Sequence, residues 1–193
     1  MINNILETGE VPNDLKQAMV IPLFKGGVPN HVSSYRPISI LSCISQLLEK
    51  HLFAAMSGFL EKYSIISPYQ YGFVTGRGTI NLLEEFSDIL HSSFDNNMFV
   101  CALFIDVAKA FDTVNHNILL DKLYRVGFRG PFHTLLKSFL TNRTQVVSID
   151  NVRSFHAFLT SGVPQGSILS PLFVNIYVND ISTSITTSQN RKG

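Results

Sequence analysis

The sequence predicts an α+β fold, and three patterns in it carry that prediction. Apolar residues recur at helical spacing in several long stretches. Short β-prone runs lie at 19–24, 98–105, 145–149 and 155–160. The two kinds of segment do not alternate strictly, as a doubly wound sheet would require. The composition supplies a core for such a fold. Of 193 residues, 45% are hydrophobic, 15% are charged and 15 are Phe, which excludes a disordered tail or polar linker. A formal net charge of +1 excludes a module that holds nucleic acid by charge alone.

Taken in chain order, Met19 to Phe24 predicts a short strand ending in the turn Lys25-Gly26-Gly27. A loop through Tyr35-Arg36-Pro37 precedes a long helix capped by Ser42, with Ile44, Leu47, Leu48, Leu52, Ala55, Met56, Phe59 and Leu60 on one face. The turn-rich stretch 67–79 leads to a second helix, on which Leu83, Phe86, Leu90 and Phe94 recur. Met98 to Ile105 is eight consecutive apolar residues and predicts a central strand covered on both faces. Helices follow near Ile118–Val126, stopped by Gly127, and from Pro131, burying Phe132, Leu135, Leu136, Phe139 and Leu140. The runs 145–149 and 155–160 predict a hairpin about Asp150-Asn151. A tight loop, GVPQGS (162–167), precedes a last helix capped by Ser170, with Leu172, Phe173, Ile176 and Ile181 as its buried stripe.

Asp106 is the most informative position for chemistry. A carboxylate ending an apolar strand is costly to bury without a cation, so it stands at the open end of a sheet or ligates a metal. The simpler alternative is an Asp that starts a turn. Phe111 follows five residues on, where a flat ring could pack on a nucleotide sugar. Asp112 is expected to cap the helix after it. In the GVPQGS loop, Gly162 and Gly166 permit close backbone approach, and Gln165 can both donate and accept. Lys25 and Arg36 flank a glycine turn and are candidates for polyphosphate contact. From Asp121 to Arg153, Lys122, Arg125, Arg129, Lys137, Arg143 and Arg153 face only Asp121 and Asp150. They form either solvated helix faces or a phosphate-facing surface. The six histidines have no metal-ligand spacing, and neither a GxSxG serine motif nor a Walker loop is present.

Cys43 and Cys101 lie in apolar runs, which argues against a disulfide scaffold and for a reducing compartment. No apolar run reaches the roughly 18 residues of a membrane span. The opening MINNILETGEVPNDLK is too acidic and polar for a signal peptide. An intracellular location, in cytoplasm or nucleus and off the membrane, is therefore expected.

Taken together, the segments IPLFKGG…YRPISILSCISQLLEKHL (21–52), QYGFVTGRGT (70–79), FIDVAKAFDTVNHNILLDKL (104–123) and GVPQGSILSPLFVNIYVNDI (162–181) resemble the reverse transcriptase domain of non-LTR (LINE-type) retrotransposons. The resemblance runs from about Val11 to Ile181. It implies a right-hand polymerase, with 1–97 fingers-like and mostly helical with a short strand or strand pair. Residues 98–181 would be a partial palm holding the first catalytic Asp and the Gln-Gly loop, and 182–193 a frayed or cut terminus. By the same resemblance Asp106 is the first catalytic, metal-binding aspartate, with the Val107 carbonyl in its shell. Phe111 discriminates against a ribose 2′-hydroxyl, Gln165 and Gly166 lie over the incoming nucleotide, and Lys25 and Arg36 hold its triphosphate. Arg77, Lys122, Arg125, Arg129, Lys137 and Arg143 become candidate nucleic-acid contacts. Implied partners are an RNA template, a DNA primer and dNTP, with two Mg²⁺ (or Mn²⁺) ions in the complete domain. The chain differs from the family's usual pattern at Val74, where an arginine is common, and at Gly26 and Val28, where charged residues are common.

The family's aromatic-Ala-Asp-Asp hairpin, source of the remaining metal-binding aspartates, is missing from these 193 residues, which contain no adjacent Asp pair. One aspartate and a carbonyl cannot neutralise two divalent ions about 3.5–4 Å apart. The expectation is a fragment of an RNA-directed DNA polymerase that is inactive alone, or one completed downstream or by another chain. The alternative is a non-enzymatic nucleic-acid or protein-binding module derived from a retrotransposon. Without the hairpin the run 98–105 loses its strand partner, and each large side chain left uncovered forfeits roughly 1.5–3 kcal/mol. Against a whole-domain margin of about 5–15 kcal/mol, this predicts a marginal, aggregation-prone chain.

Overall fold

The structure, a computed structural model, describes residues 1–150 and 152–181. The expected terminus 182–193 and the second residue of the Asp150-Asn151 turn lie outside them. In chain order the elements are α1 (Ile2–Thr8), β1 (Gln17–Phe24), β2 (Tyr35–Ile40), α2 (Cys43–Lys62), α3 (Thr79–Asp95), α4 (His116–Val126), α5 (Gly130–Leu140), β3 (Arg143–Ile149), β4 (Val152–Arg153), β5 (Ala157–Leu159) and α6 (Ser170–Val178). Helices and a mixed sheet thus share one chain without strict alternation, as an α+β fold requires. No helix among the described residues is long and apolar enough to cross a membrane.

Apart from α1, which is not expected from the sequence, the helices form where the apolar spacing predicts them. On α2 the Ser42 hydroxyl accepts the Ser45 N–H at 3.1 Å, so a side chain satisfies one of the orphan donors of the first turn. Leu48, Leu52, Met56 and Leu60, four residues apart, are all buried. Ile44, at the start of that row in the first turn, and Leu47, beside it, are exposed, so the buried face is smaller than the apolar one. α4 starts at Asn115, whose side chain accepts from Asn117 N–H at 2.9 Å and Ile118 N–H at 3.2 Å. It ends at Gly127 (φ 124°), where a Cβ would lie 2.9 Å from the Phe59 ring. Leu119 and Leu123 of α4, Leu135, Leu136, Phe139 and Leu140 of α5, and Leu172, Phe173 and Ile176 of α6 close a single core with α2 and Ile5 of α1.

The sheet runs β2-β1-β3-β4, with β5 also on β3. β1 and β2 pair antiparallel from Met19↔Ile40 to Phe24↔Tyr35. β1 and β3 pair in parallel from Gln17↔Thr144 to Val20↔Val147, so the sheet joins segments far apart in the chain. The expected hairpin forms, with its return strand in two pieces. Ser148↔Arg153 and Arg143↔Leu159 differ in register by one residue, so the return strand carries an extra residue between them.

Several expectations are overturned. The run 98–105 is not a strand. It has no regular structure, and Phe99, Leu103 and Phe104 are almost wholly exposed. A strand needs a neighbour for its N–H and C=O groups, and among the described residues this run has none. β2, read from sequence as a loop, is an edge strand, the position that tolerates its Pro37. On α3 only Ser93 is buried, and the expected stripe residues Leu83 and Phe94 face outward. Ser170 is not the cap of α6: Leu169 holds that position, and the Ser170 hydroxyl is buried without a hydrogen-bond partner among the described residues. Ile181 lies beyond α6 and is exposed.

Candidate active site

The segment after Asp106 and the GVPQGS loop are brought together by the backbone. Lys109 takes φ 54°, and the amides of Asp112 and Thr113 bond back to its carbonyl at 2.8 and 3.1 Å, turning the chain. That turn docks on the loop. Gly162 N–H donates to the Val114 carbonyl and Val163 N–H to the Phe111 carbonyl, each at 2.8 Å. Gln165 Nε2 donates to Asp112 Oδ1 at 3.1 Å. Asp112 therefore binds the loop rather than capping α4, a role Asn115 takes. The buried His116 Nε2 lies 2.7 Å from the Gly162 carbonyl, and since a carbonyl can only accept, Nε2 carries the proton.

Both loop glycines are required by what they touch. A Cβ at Gly162 (φ 82°) would lie 2.8 Å from the Asp112 carbonyl oxygen, and one at Gly166 (φ 130°) 2.5 Å from the Ser39 carbonyl oxygen. The Ser39 N–H, on the free edge of β2, donates to the Gln165 carbonyl at 2.7 Å. Between sheet and loop lies a cleft of about 300 Å³, lined among others by Pro37, Ser39, Asp112, Phe158 and Gln165. Downstream, Glu49 of α2, fully buried, accepts from the Ser167 hydroxyl and the Ile168 N–H, both at 2.7 Å, and from the Ser45 hydroxyl at 3.3 Å.

The other expected residues are more scattered. Asp106 and Val107 are exposed in the irregular segment six and five residues before Asp112. Hard divalent cations take oxygen donors, and this carboxylate and carbonyl are of that kind. Among the described residues, however, no three His, Cys, Asp or Glu side chains converge. They fit one side of a divalent-ion site and not a complete two-ion site. Phe111 is half-buried, its ring edge-on to Phe73 at 6.3 Å. Lys25 is exposed past the end of β1, its N–H bonded to the Ser34 carbonyl at 2.9 Å. Strand alternation puts the exposed Arg36 on the opposite face of β2 from Pro37 and Ser39, which line the cleft.

The candidate basic surface is largely used within the molecule. Arg77 Nη1 donates to the carbonyls of Ser67, Pro68 and Gln70 at 2.8–3.2 Å. Lys122 reaches the Tyr177 carbonyl and Asp180, each at 2.5 Å, and its hydrogen bond holds the Asp180 carboxyl below the usual range. Arg125 pairs with Asp121 at 2.8 Å, and Arg129 stacks on Tyr124 at 5.1 Å. Lys137 is exposed. Arg143 cannot contact nucleic acid, because it is one of the most deeply buried side chains, 1% exposed over the Phe139 ring. Among the described residues its Nε and Nη2 have no hydrogen-bond partner; burial pushes its pKa down, opposed by the charge of Glu49.

Sequence reasoning passed over three residues that shape the site. Glu49 left a signal, a carboxylate beside Leu48 and between the buried turns of α2. Asn175 of α6 and Asn179, the residue that caps its C-terminal end, left none, yet they clamp the 65–73 turn. Asn175 Nδ2 donates to the Gly72 carbonyl at 3.0 Å, and Asn179 Oδ1 accepts the Ser67 N–H at 2.8 Å.

Over residues 25–191 the chain matches the family described as "Reverse transcriptase (RNA-dependent DNA polymerase)". Among curated proteins it is 33% identical over 180 residues to a "Probable RNA-directed DNA polymerase from transposon BS" of Drosophila melanogaster, covering 93% of this chain and 20% of that protein. It is 32% identical over 184 residues to the "RNA-directed DNA polymerase from mobile element jockey" of the same species, covering 95% and 20%. A more distant relative is the "Retrovirus-related Pol polyprotein from type-1 retrotransposable element R2" of Popillia japonica, 25% identical over 178 residues, 92% of this chain and 24% of that one. The chain thus spans about a fifth of the length of the first relatives it matches. With family match and relatives in agreement across nearly all of the sequence, the chain belongs to the reverse transcriptase (RNA-dependent DNA polymerase) family.

Proposed function

We propose that this chain is part of an RNA-directed DNA polymerase of a non-LTR retrotransposon, transferring nucleotides from dNTP to a primer 3′ end on an RNA template, and that it is inactive alone. The observation that supports this best is the docking of the 109–114 turn on the GVPQGS loop, which sets Asp112 and Gln165 on one cleft, with Phe111 in the adjoining turn. In this reading Gln165 and Gly166 bound the nucleotide pocket, the Phe111 ring excludes a 2′-hydroxyl, and Lys25 reaches the triphosphate, whereas Arg36, on the far face of β2, takes no part. Asp106 and the Val107 carbonyl offer oxygen donors to a divalent ion. Bound Mg²⁺ or Mn²⁺ supplies Lewis-acid activation and charge neutralisation at the phosphates. Residues 1–97 correspond to fingers and 98–181 to part of a palm. The exposed apolar run 98–105 becomes a palm strand once a hairpin carrying the Asp-Asp pair lies beside it.

The binding-module alternative is less well supported, because Arg143 is buried and Arg77, Lys122, Arg125 and Arg129 are engaged internally. The test is Asp106→Ala in a polymerase that joins this domain to an Asp-Asp hairpin. Mg²⁺-dependent primer extension should disappear while the thermal midpoint stays put, since Asp106 is exposed. Undiminished extension would refute the assignment.

A further inference from the structure

We propose that Glu49 is the positioning residue of the Gln165 turn, a buried carboxylate on α2 that sets the loop in place through Ser167 and Ile168. The proposal rests on the reading of Gln165 as a nucleotide-facing side chain and adds to it the group that holds that side chain in register.

Glu49 is wholly buried among Leu48, Leu52 and the start of α6. A carboxylate in such surroundings is tolerated only when its oxygens are fully occupied by donors. The donors here come chiefly from the loop, more than a hundred residues away in sequence. Oε2 takes both the Ser167 hydroxyl and the Ile168 N–H at 2.7 Å, and Oε1 takes the Ser45 hydroxyl, one turn back on α2, at 3.3 Å. Ser167 in turn accepts the Leu169 N–H at 3.2 Å, which carries the restraint to the start of α6. A negative charge at a helix N-terminus is also favoured by the helix dipole.

The loop is therefore held at three places. Upstream, Gly162 and Val163 bond to the 111–114 turn; in the middle, the Gln165 carbonyl bonds to Ser39 on β2; downstream, Ser167 and Ile168 bond to Glu49. Gln165 carries the middle one, and Gly166 lies between it and the last. Gly166 (φ 130°) presses against Ser39 and needs its neighbours pinned on both sides. Without the Glu49 oxygens the downstream end is free to swing, and the Gln165 amide loses its alignment on Asp112. The charge itself is not essential to this task. A glutamine can put its oxygen where Oε2 sits and turn its amide to the Ser45 hydroxyl, which can accept.

The test compares Glu49→Leu, which keeps bulk and removes both acceptors, with Glu49→Gln. In this chain, amide exchange at Ile168 and Leu169 should accelerate at least tenfold in Glu49→Leu, with amides of α4 and α5 changing less than threefold, and Glu49→Gln should restore protection. The Gln165 side-chain amide resonance should move in Glu49→Leu and not in Glu49→Gln. In a polymerase carrying this domain, Glu49→Leu should raise KM for dNTP about tenfold with a smaller change in kcat. Unchanged exchange at Ile168, or an equal loss of protection throughout the core, overturns the positioning role. If the wild-type polymerase extends no primer while the exchange effect stays local, the polymerase reading falls and the Glu49 tether stands.

Discussion

Two regions of this molecule have the same taste for apolar residues and opposite fates. In the bundle of α1, α2, α4, α5 and α6, Leu48, Leu52, Leu136, Leu140 and Phe173 are completely buried. In α3 and the segment 98–107, Leu83, Phe94, Phe99, Leu103, Phe104 and Ile105 face outward. Apolar composition records which surfaces gain by being covered, while the available neighbours decide which are covered. The bundle carries both halves of its contacts within the described residues. The 98–107 segment carries one half, touching α3 through the Phe86–Phe104 ring pair at 6.2 Å.

The contrast can be broken most directly in the bundle. Leu136→Ala should cost about 2–5 kcal/mol in denaturant unfolding, because the side chain is enclosed on every side. A cost no larger than that of a surface change would remove the distinction between the regions. Next, Gly166→Ala should cost roughly 1–3 kcal/mol, since it forces a side chain into φ 130° and a Cβ against the Ser39 carbonyl. Its amide-exchange effect should concentrate at 39 and 162–168, which would sharpen the view that the loop is seated by the bundle and the sheet together.

Smaller still is the Lys122–Asp180 pair, which ties α4 to the end of α6. Because Lys122 holds the Asp180 pKa down, the pair's stabilisation is complete above the ordinary Asp pKa of about 3.9 and is lost as pH falls through the lower folded value. Asp180→Asn should therefore lower stability by roughly 0.2–1 kcal/mol at neutral pH and low salt, discounted for exposure. The gap from wild type should close in melts taken at lower pH. The smallest effect belongs to the uncovered segment. Leu103→Ser with Phe104→Ser should change stability by less than about 0.5 kcal/mol each while reducing dye binding and aggregation. A loss of several times that would mean those side chains are packed after all.

What the sequence made legible follows from the range of the forces involved. Ser42, Gly127 and the 3.6-residue stripes act within a turn or two, and α2, α4 and α5 lie where they indicate. The glycines of GVPQGS were readable as points of close approach, though the partners they approach, Asp112 and Ser39, were not. β2 was not placed, although a strand pair was left open for this half, because Tyr35-Arg36-Pro37 reads as a loop, and only its pairing with β1 makes it a strand. The run 98–105 was misjudged for the reverse reason: its β character is intrinsic and its pairing is not. Arg143 looked like surface charge because nothing local reveals that it folds back, buried, over the Phe139 ring of α5. Glu49 offered a faint signal, a charge within a buried helical arc, and its meaning depended on serine and amide donors 118 and 119 residues further along the chain.

The parallel pairing of β1 with β3 carries a consequence for the order of events during synthesis. Val20 and Val147 are 127 residues apart, whereas β1 and β2 meet across a short loop. Hairpin formation is local and quick, but the sheet can be completed only after β3 has left the ribosome, because a contact this distant must wait for its partner. Until then the inner edge of β1 is an open template. Ala18 and Val20, buried in the finished sheet, are the residues most in need of a chaperone's shelter on a nascent chain.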